Sequence, residues 1–229
     1  MTTFVLIPGA GGDGWYWHRV VPLLRACGHE AIAVDLPAGD GKAGWPEYTD
    51  HVVAAVDAAT ADAGDLVVAA LSMGGFVAPL VAARRPVSRL VLVNAMIPVP
   101  GETGGDWWGN TGQGPARREL DVAEGRDPDA PYDERAMFFH DVPDDLAEEA
   151  MARPAEQSDT PFAQPWPAPA WPGVPTRVFS GRDDRVFPVQ FQTRVARERL
   201  GITPQRLPGG HLLALSHPAE LAAALADPG

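Results

Sequence analysis

Leu66-Val67-Val68-Ala69-Ala70-Leu71-Ser72-Met73-Gly74-Gly75-Phe76-Val77-Ala78 runs from an apolar, strand-like segment through a serine and two glycines into a helix-like segment. This is the layout of a sharp strand-to-helix turn that lifts a serine hydroxyl to the end of a sheet, the nucleophile elbow. Two packed elements can meet that closely only beside small residues, and Ala70, Gly74 and Gly75 supply them. Alanine at position 70 stands where the motif usually carries glycine. The plainer alternative is a tight turn with an incidental serine, because so short a motif also arises by chance.

Working outward, strand and helix signals alternate. Phe4–Ile7, Ala31–Val34, Leu66–Leu71 and Leu90–Val93 read as short apolar strands, and Thr176–Ser180 and Gln205–Leu207 as strands where the alternation resumes. Tyr16–Cys27, Tyr48–Ala63, Met73–Arg84, Asp144–Arg153, Pro188–Leu200 and Pro218–Ala226 read as helices. Strands separated by helices imply an α/β fold with a mostly parallel sheet of about six strands and helices on both faces. From about Val99 to Gly173 glycine, proline, tryptophan and acidic residues crowd in and the alternation lapses. The expected organisation is a core of residues 1–98 and 174–229, with 99–173 inserted as a cap over one end of the sheet. In such sheets ligands bind beyond the carboxyl ends of the strands, so each candidate group is tested for that position.

Composition narrows the function classes. A chain of 229 residues with 45% hydrophobic residues suits one α/β domain with a full core. A net charge of -12 disfavours nucleic acid and anionic membrane as partners, both of which need a basic footprint. Cys27, the single cysteine, leaves no intrachain disulfide and no cysteine-based metal cluster. The start, Met1-Thr2-Thr3-Phe4-Val5-Leu6-Ile7-Pro8, lacks the basic head and longer apolar core of a signal peptide. No apolar run approaches the length of a membrane span. A cytoplasmic location is the expectation.

A serine hydroxyl needs a base to become a nucleophile. Of the six histidines, His18 and His51 fall within predicted helices, His29 precedes a strand and His217 stands at a helix start. His140 lies in the insertion and stays a candidate. His211 follows the loop Pro208-Gly209-Gly210 just past the last strand, at the correct end of the sheet. A solvent-exposed loop residue is its plain alternative. The base in turn needs a carboxylate to fix its tautomer. Asp183 and Asp184 both lie past the strand ending at Ser180; either could instead cap the following helix or pair with Arg182 or Arg185. Asn94, past the preceding strand, is uncharged and is excluded. The order Ser72, Asp183 or Asp184, His211 is the order in which this type of sheet presents such a triad. An oxyanion needs two donors, one being the backbone N–H of Met73, the other an amide of the glycine-rich loop Pro8-Gly9-Ala10-Gly11-Gly12. That loop does not fit a phosphate loop: the Gly-x-Gly-x-x-Gly register fails and no Gly-Lys-Ser/Thr follows.

With these residues in place the chain resembles the α/β-hydrolase superfamily over essentially its full length. Phe4-Val5-Leu6-Ile7-Pro8-Gly9-Ala10 followed by Trp15-Tyr16-Trp17 looks like the start of the plant methylesterase and hydroxynitrile lyase group and its bacterial esterase relatives. Gly209-Gly210-His211, Leu215-Ser216-His217-Pro218 and the cap segment Phe138-Phe139-His140-Asp141-Val142-Pro143 resemble segments of the same group. Gly181, Asp184 and Pro188 match the spacing of its acid loop. The resemblance implies Ser72, Asp184 and His211 as triad, Ala10 and Met73 as oxyanion donors, and no metal or organic cofactor. Pro8 replaces a histidine usual in the group, Gly9 a threonine of the lyases, and Leu212 the lysine whose charge assists cyanide release. These departures point to ester hydrolysis. Serine at the elbow also sets the chain apart from dehalogenases and epoxide hydrolases, which use aspartate there.

The expected partner is a small, uncharged, moderately hydrophobic ester. Trp107, Trp108, Phe138, Phe139, Phe162, Trp166 and Trp171 crowd the insertion. Most are expected to pin the cap to the sheet, with Trp108 and Phe138 as pocket candidates. Two other classes stay open: a lyase or cyclase acting on a biosynthetic intermediate, and a slow-turnover ligand-binding module.

Overall fold

In a computed structural model, the structure describes residues 1–59, 65–154 and 156–228. Six parallel strands form one sheet in the order β2-β1-β3-β4-β5-β6: β1 (Thr2–Ile7), β2 (Glu30–Ala33), β3 (Asp65–Leu71), β4 (Arg89–Val93), β5 (Thr176–Gly181) and β6 (Gln205–Leu207). The continuous apolar runs of β1, β3 and β4 are covered on both faces, as the inside of a parallel sheet requires, whereas the edge strands β2 and β6 are partly exposed. One face packs Val5, Ile7, Val68, Ala70, Leu90 and Leu92 against helices α2 (Trp45–Ala59), α3 (Ala78–Ala82) and α9 (Val189–Leu200). The other packs Phe4, Leu6, Val67, Ala69, Val91 and Val93 against α1 (Val21–Ala26), α10 (Leu213–Ser216) and α11 (Pro218–Ala226). Because all strands run the same way, the segments leaving β1, β3, β5 and β6 converge on one edge of the sheet.

Two expected helices are shorter than their apolar periodicity implies. The segment beginning at Tyr16 is a 3-10 turn, Gly14–Trp17, followed by α1 only from Val21. After Ser72 a 3-10 turn, Ser72–Phe76, precedes α3, which carries Pro79 in its first turn. Proline supplies no N–H to an earlier carbonyl and is tolerated only at a helix start, so the turn and the helix cannot fuse. The helix expected over Tyr48–Ala63 starts earlier, at Trp45, and its residues 60–63 lie outside the described residues.

Between β4 and β5 lies a helical cap: α4 (Gly104–Thr111), α5 (Gln113–Ala123), α6 (Glu134–Phe138), α7 (Asp144–Met151) and α8 (Thr160–Ala163). Of these only α7 was legible as a helix. Tryptophans attach the cap as expected. Trp107 and Trp166 are fully buried, and their indole N–H groups donate to Ile97 O (3.1 Å) and Phe76 O (2.9 Å). Trp171 donates to Thr176 Oγ1 beside β5. A buried ion pair adds a second tie: Arg199 of α9 grips Glu102 with both guanidinium nitrogens, at 2.5 and 2.8 Å. Glu102 also accepts from Asn110 and from the Val99 amide. Truncating one partner of such a pair strands the other charge in a dry site. Glu102→Ala is therefore expected to lower stability by about 3–5 kcal/mol, read as a shift in the denaturation midpoint at constant slope.

Candidate active site

Ser72 follows the last residue of β3, with β1 on one side and β4 on the other. Its φ is +51°, a left-handed conformation that costs an L-residue about 1–2 kcal/mol. The surroundings hold it there. Ser72 O accepts from Met96 N at 2.9 Å, and Gly74 O accepts from Val77 N at 2.9 Å. A Cβ on Gly74 would stand 2.7 Å from Pro8 O, and one on Gly75 would collide with the Met96 carbonyl. The two glycines are thus demanded by the ends of the neighbouring strands. Ala70 fits because it is fully buried in β3, in register with Ile7 and Leu92. Gly9 is equally constrained: a Cβ there would come within 3.0 Å of Ser72 Cβ.

His211 and Asp184 meet at the same edge. His211 Nδ1 lies 2.9 Å from Asp184 Oδ2, and both residues are buried. The other carboxylate oxygen, Oδ1, accepts from the amides of Val186 and Phe187, each at 2.8 Å. Gln192 of α9 donates to Oδ2 at 3.1 Å. Asp184 is therefore an acceptor on all sides, and Nδ1 of His211 must carry the proton. That leaves Nε2 as the lone-pair nitrogen. Nε2 is buried and has no hydrogen-bond partner among the described residues. Phe138 and Phe187 flank the imidazole edge-on, with centroids at 5.2 and 5.0 Å. Asp183 does not reach His211; it is exposed, and its carboxylate accepts from Gly209 N at 3.3 Å. Neither aspartate pairs with Arg182 or Arg185 among the described residues; Arg185 donates instead to Ala136 O.

Ser72 and His211 line one cavity of about 260 Å³. No hydrogen bond joins their side chains among the described residues, and such contacts often tighten only once substrate is bound. Ala10 and Met73 line the same cavity, and among the described residues neither backbone N–H is taken by a protein acceptor. Trp108, Phe138 and Phe162 contribute aromatic walls. A second hollow of about 640 Å³ lies across the wall made by Trp108, Tyr132, Phe138 and Val186.

The remaining histidines stand apart from this cavity. His18 stacks on Trp15, His29 packs edge-on against Phe4, His51 is exposed in α2 and His217 precedes α11 without a side-chain cap bond. His140 is behind the loop that bears His211: a Cβ on Gly210 would meet its Nε2 at 2.7 Å. Burial pushes the His140 pKa down, helped by the nearby Arg185 charge and opposed by Asp141.

Several contributors escaped the reading of the sequence. Asn94, set aside as uncharged, is fully buried at φ +44°, a conformation asparagine tolerates better than most residues. Its Nδ2 donates to Gly210 O and His211 O, both at 2.9 Å, and its Oδ1 accepts from Gly181 N at 2.7 Å. Gln192 joins Asp184 to Asn94. Tyr16 lines the cavity, and its pKa is raised by burial and by the nearby Glu134 and Asp13 carboxylates, so the ring stays a neutral phenol.

A family model described as the alpha/beta hydrolase family matches residues 4–224. The chain belongs to the alpha/beta hydrolase family. Within that family it is similar to a pyrethroid hydrolase of Sphingobium wenxiniae, 28% identical across 99% of the chain and 87% of that protein. A crystal structure of a pyrethroid hydrolase from Sphingobium faniae superposes with a TM-score of 0.74 at 28% identity, covering 99% of this chain and 96% of that one. Esterase PIR7B of Oryza sativa subsp. japonica is 36% identical over 108 residues, 43% of this chain and 40% of that protein. No helix among the described residues is long and apolar enough to cross a membrane.

Proposed function

We propose that this alpha/beta hydrolase cleaves a small, uncharged carboxylic ester through an acyl-enzyme on Ser72. The observation that carries the reading is the facing of two groups across one cavity. One is a serine held at φ +51° at a strand end; the other is a buried imidazole whose Nδ1 is fixed at 2.9 Å by Asp184. His211 Nε2 takes the hydroxyl proton as Ser72 Oγ bonds to the ester carbon. The Ala10 and Met73 amides hold the oxyanion. The alcohol departs with the proton returned by His211, and water, deprotonated by the same nitrogen, releases the acid and restores the serine.

The cavity supports the substrate class. Its volume, about 260 Å³, is just below the range of pockets for drug-sized ligands, roughly 300–1,000 Å³, and its walls are largely aromatic and aliphatic. Glu134 among the lining residues disfavours an anionic substrate. Gly9 and Leu212 favour hydrolysis over the lyase reaction: Leu212 lines the cavity with no charge to hold a departing anion. The esterase and pyrethroid hydrolase names of the relatives agree with ester cleavage.

A fluorophosphonate probe tests the nucleophile before any substrate is known. The expected result is one covalent adduct, mapped by peptide mass spectrometry to Ser72. Labelling elsewhere, or none, overturns the assignment.

A further inference from the structure

The cap touches the two loops that carry the proposed reaction, through Asp141 behind the histidine loop and through Gln157, which also lines the cavity. From the segment between α6 and α7, Asp141 Oδ2 accepts the Gly210 N–H at 2.6 Å. Gly210 immediately precedes His211, whose carbonyl, with that of Gly210, is held from the core side by Asn94. The histidine loop is thus gripped on two sides, by the core through its carbonyls and by the cap through its amide. From the segment before α8, Gln157 Oε1 accepts the Gly11 N–H at 3.0 Å. Gly11 immediately follows Ala10, and Gly11 and Gly12 have φ of +83° and +67°. A glycine pair of that kind has little conformational preference of its own, so its anchors decide its position: from the core Leu36 N donates to Gly12 O at 2.8 Å, and from the cap Gln157 holds Gly11 N–H. Gln157 is itself fixed, donating through Nε2 to Tyr48 Oη and Ser158 O.

We propose that Asp141 and Gln157 are positioning residues, and that the cap is a clamp that aims both the base and the oxyanion donor. Each cap side chain binds the peptide N–H next to one of those groups. The inference rests on the esterase reading above. It assigns the cap a part in the chemical step, beyond walling the cavity. Reacting groups displaced by about 1 Å lose roughly 100-fold in rate, so a slack loop lowers kcat while leaving ground-state binding of substrate almost unchanged.

The test compares Asp141→Ala and Gln157→Ala with Asp141→Asn and Gln157→Glu, which retain an oxygen at the accepting position. Hydrolysis of a p-nitrophenyl ester is measured per site labelled to completion by a fluorophosphonate, alongside amide exchange of peptides spanning 9–12 and 209–212. Each alanine variant is expected to lose about 10- to 100-fold in kcat and to exchange faster in its own loop only, with KM within twofold for Asp141→Ala, whereas Gln157→Ala, which opens the cavity wall, is judged on kcat and exchange alone. The conservative variants are expected to recover most of kcat. If the wild-type chain hydrolyses esters and the alanine variants keep kcat within twofold, the clamp is wrong and the esterase reading stands. Equal losses in alanine and conservative variants also overturn it, since these indicate packing in place of the hydrogen bond. A wild-type chain that neither hydrolyses esters nor takes the probe overturns the esterase reading, and the clamp falls with it. The two anchors sit on different loops, so if one alanine variant fails to fold the other decides.

Discussion

Ser72→Ala lowers kcat for a p-nitrophenyl ester by about 10⁴–10⁶-fold, the loss expected when the nucleophile of a cooperating triad is removed. On the proposed mechanism what remains comes from the Ala10 and Met73 amides and from substrate binding, which need no serine. Stability separates this chemical loss from damage to the fold. Alanine at φ +51° is as strained as serine, so Ser72→Ala leaves the melting temperature near that of the wild type. Ser72→Gly is equally inactive but relieves the left-handed conformation, and it is expected to be about 1 kcal/mol more stable than Ser72→Ala. Inactivity with unchanged or raised stability indicates a residue kept for chemistry at a structural cost. Ester turnover within tenfold of wild type in either variant removes Ser72 from the mechanism.

The parts of the molecule legible in the sequence are those whose signal is local. An apolar run covered on both faces declares itself a strand, as in β1, β3 and β4, and the short edge strands β2 and β6 were readable from their place in the strand–helix alternation. The elbow was readable because its small residues answer to two strand ends nearby in space, Pro8 and Met96. The cap was readable as an insertion and in α7, but its other helices were not, because they form for distant reasons. α4 opens on Gly104 and Gly105, poor helix formers, and is set by the Thr103 N-cap and by burial of Trp107 against the core. Asn94, Gln192, Asp141 and Gln157 escaped for a related reason. An amide or carboxylate has no spacing signature, and each acquires its part only from a group the fold brings to it, as Asp141 does from the Gly210 amide and Gln192 from the Asp184 and Asn94 side chains. Discarding Asn94 for lack of charge applied the requirement of an imidazole partner to a position where a buried loop needed both a donor and an acceptor. The choice between Asp183 and Asp184 was likewise closed to residue counting. Adjacent residues point apart, and only the fold turns one toward His211 and the other to solvent.

Asp184→Asn isolates what that carboxylate contributes. Asparagine is isosteric, but its two ends are not alike, and the surroundings select its orientation. Val186 N and Phe187 N both donate to the Oδ1 site, so the amide oxygen must sit there. The NH₂ is then forced toward His211 Nδ1 and against the Gln192 amide, which already donates to that position. His211 can answer only by placing its lone pair on Nδ1 and its proton on Nε2, the tautomer that cannot accept a proton from Ser72. A loss of about 10⁴-fold in kcat with KM little changed is therefore expected. Asp184→Ala should match that kinetic loss and add a stability deficit of about 1–3 kcal/mol, because it leaves the buried Val186 and Phe187 amides without an acceptor. Asp183→Asn serves as the neighbouring control. Its side chain is exposed and, among the described residues, accepts one hydrogen bond, from Gly209 N at 3.3 Å, so kcat should stay within about threefold of wild type. If Asp184→Asn retains activity within tenfold, or if Asp183→Asn shows the larger loss, the orientation of His211 does not depend on Asp184 and the proposed proton path through Nε2 is wrong.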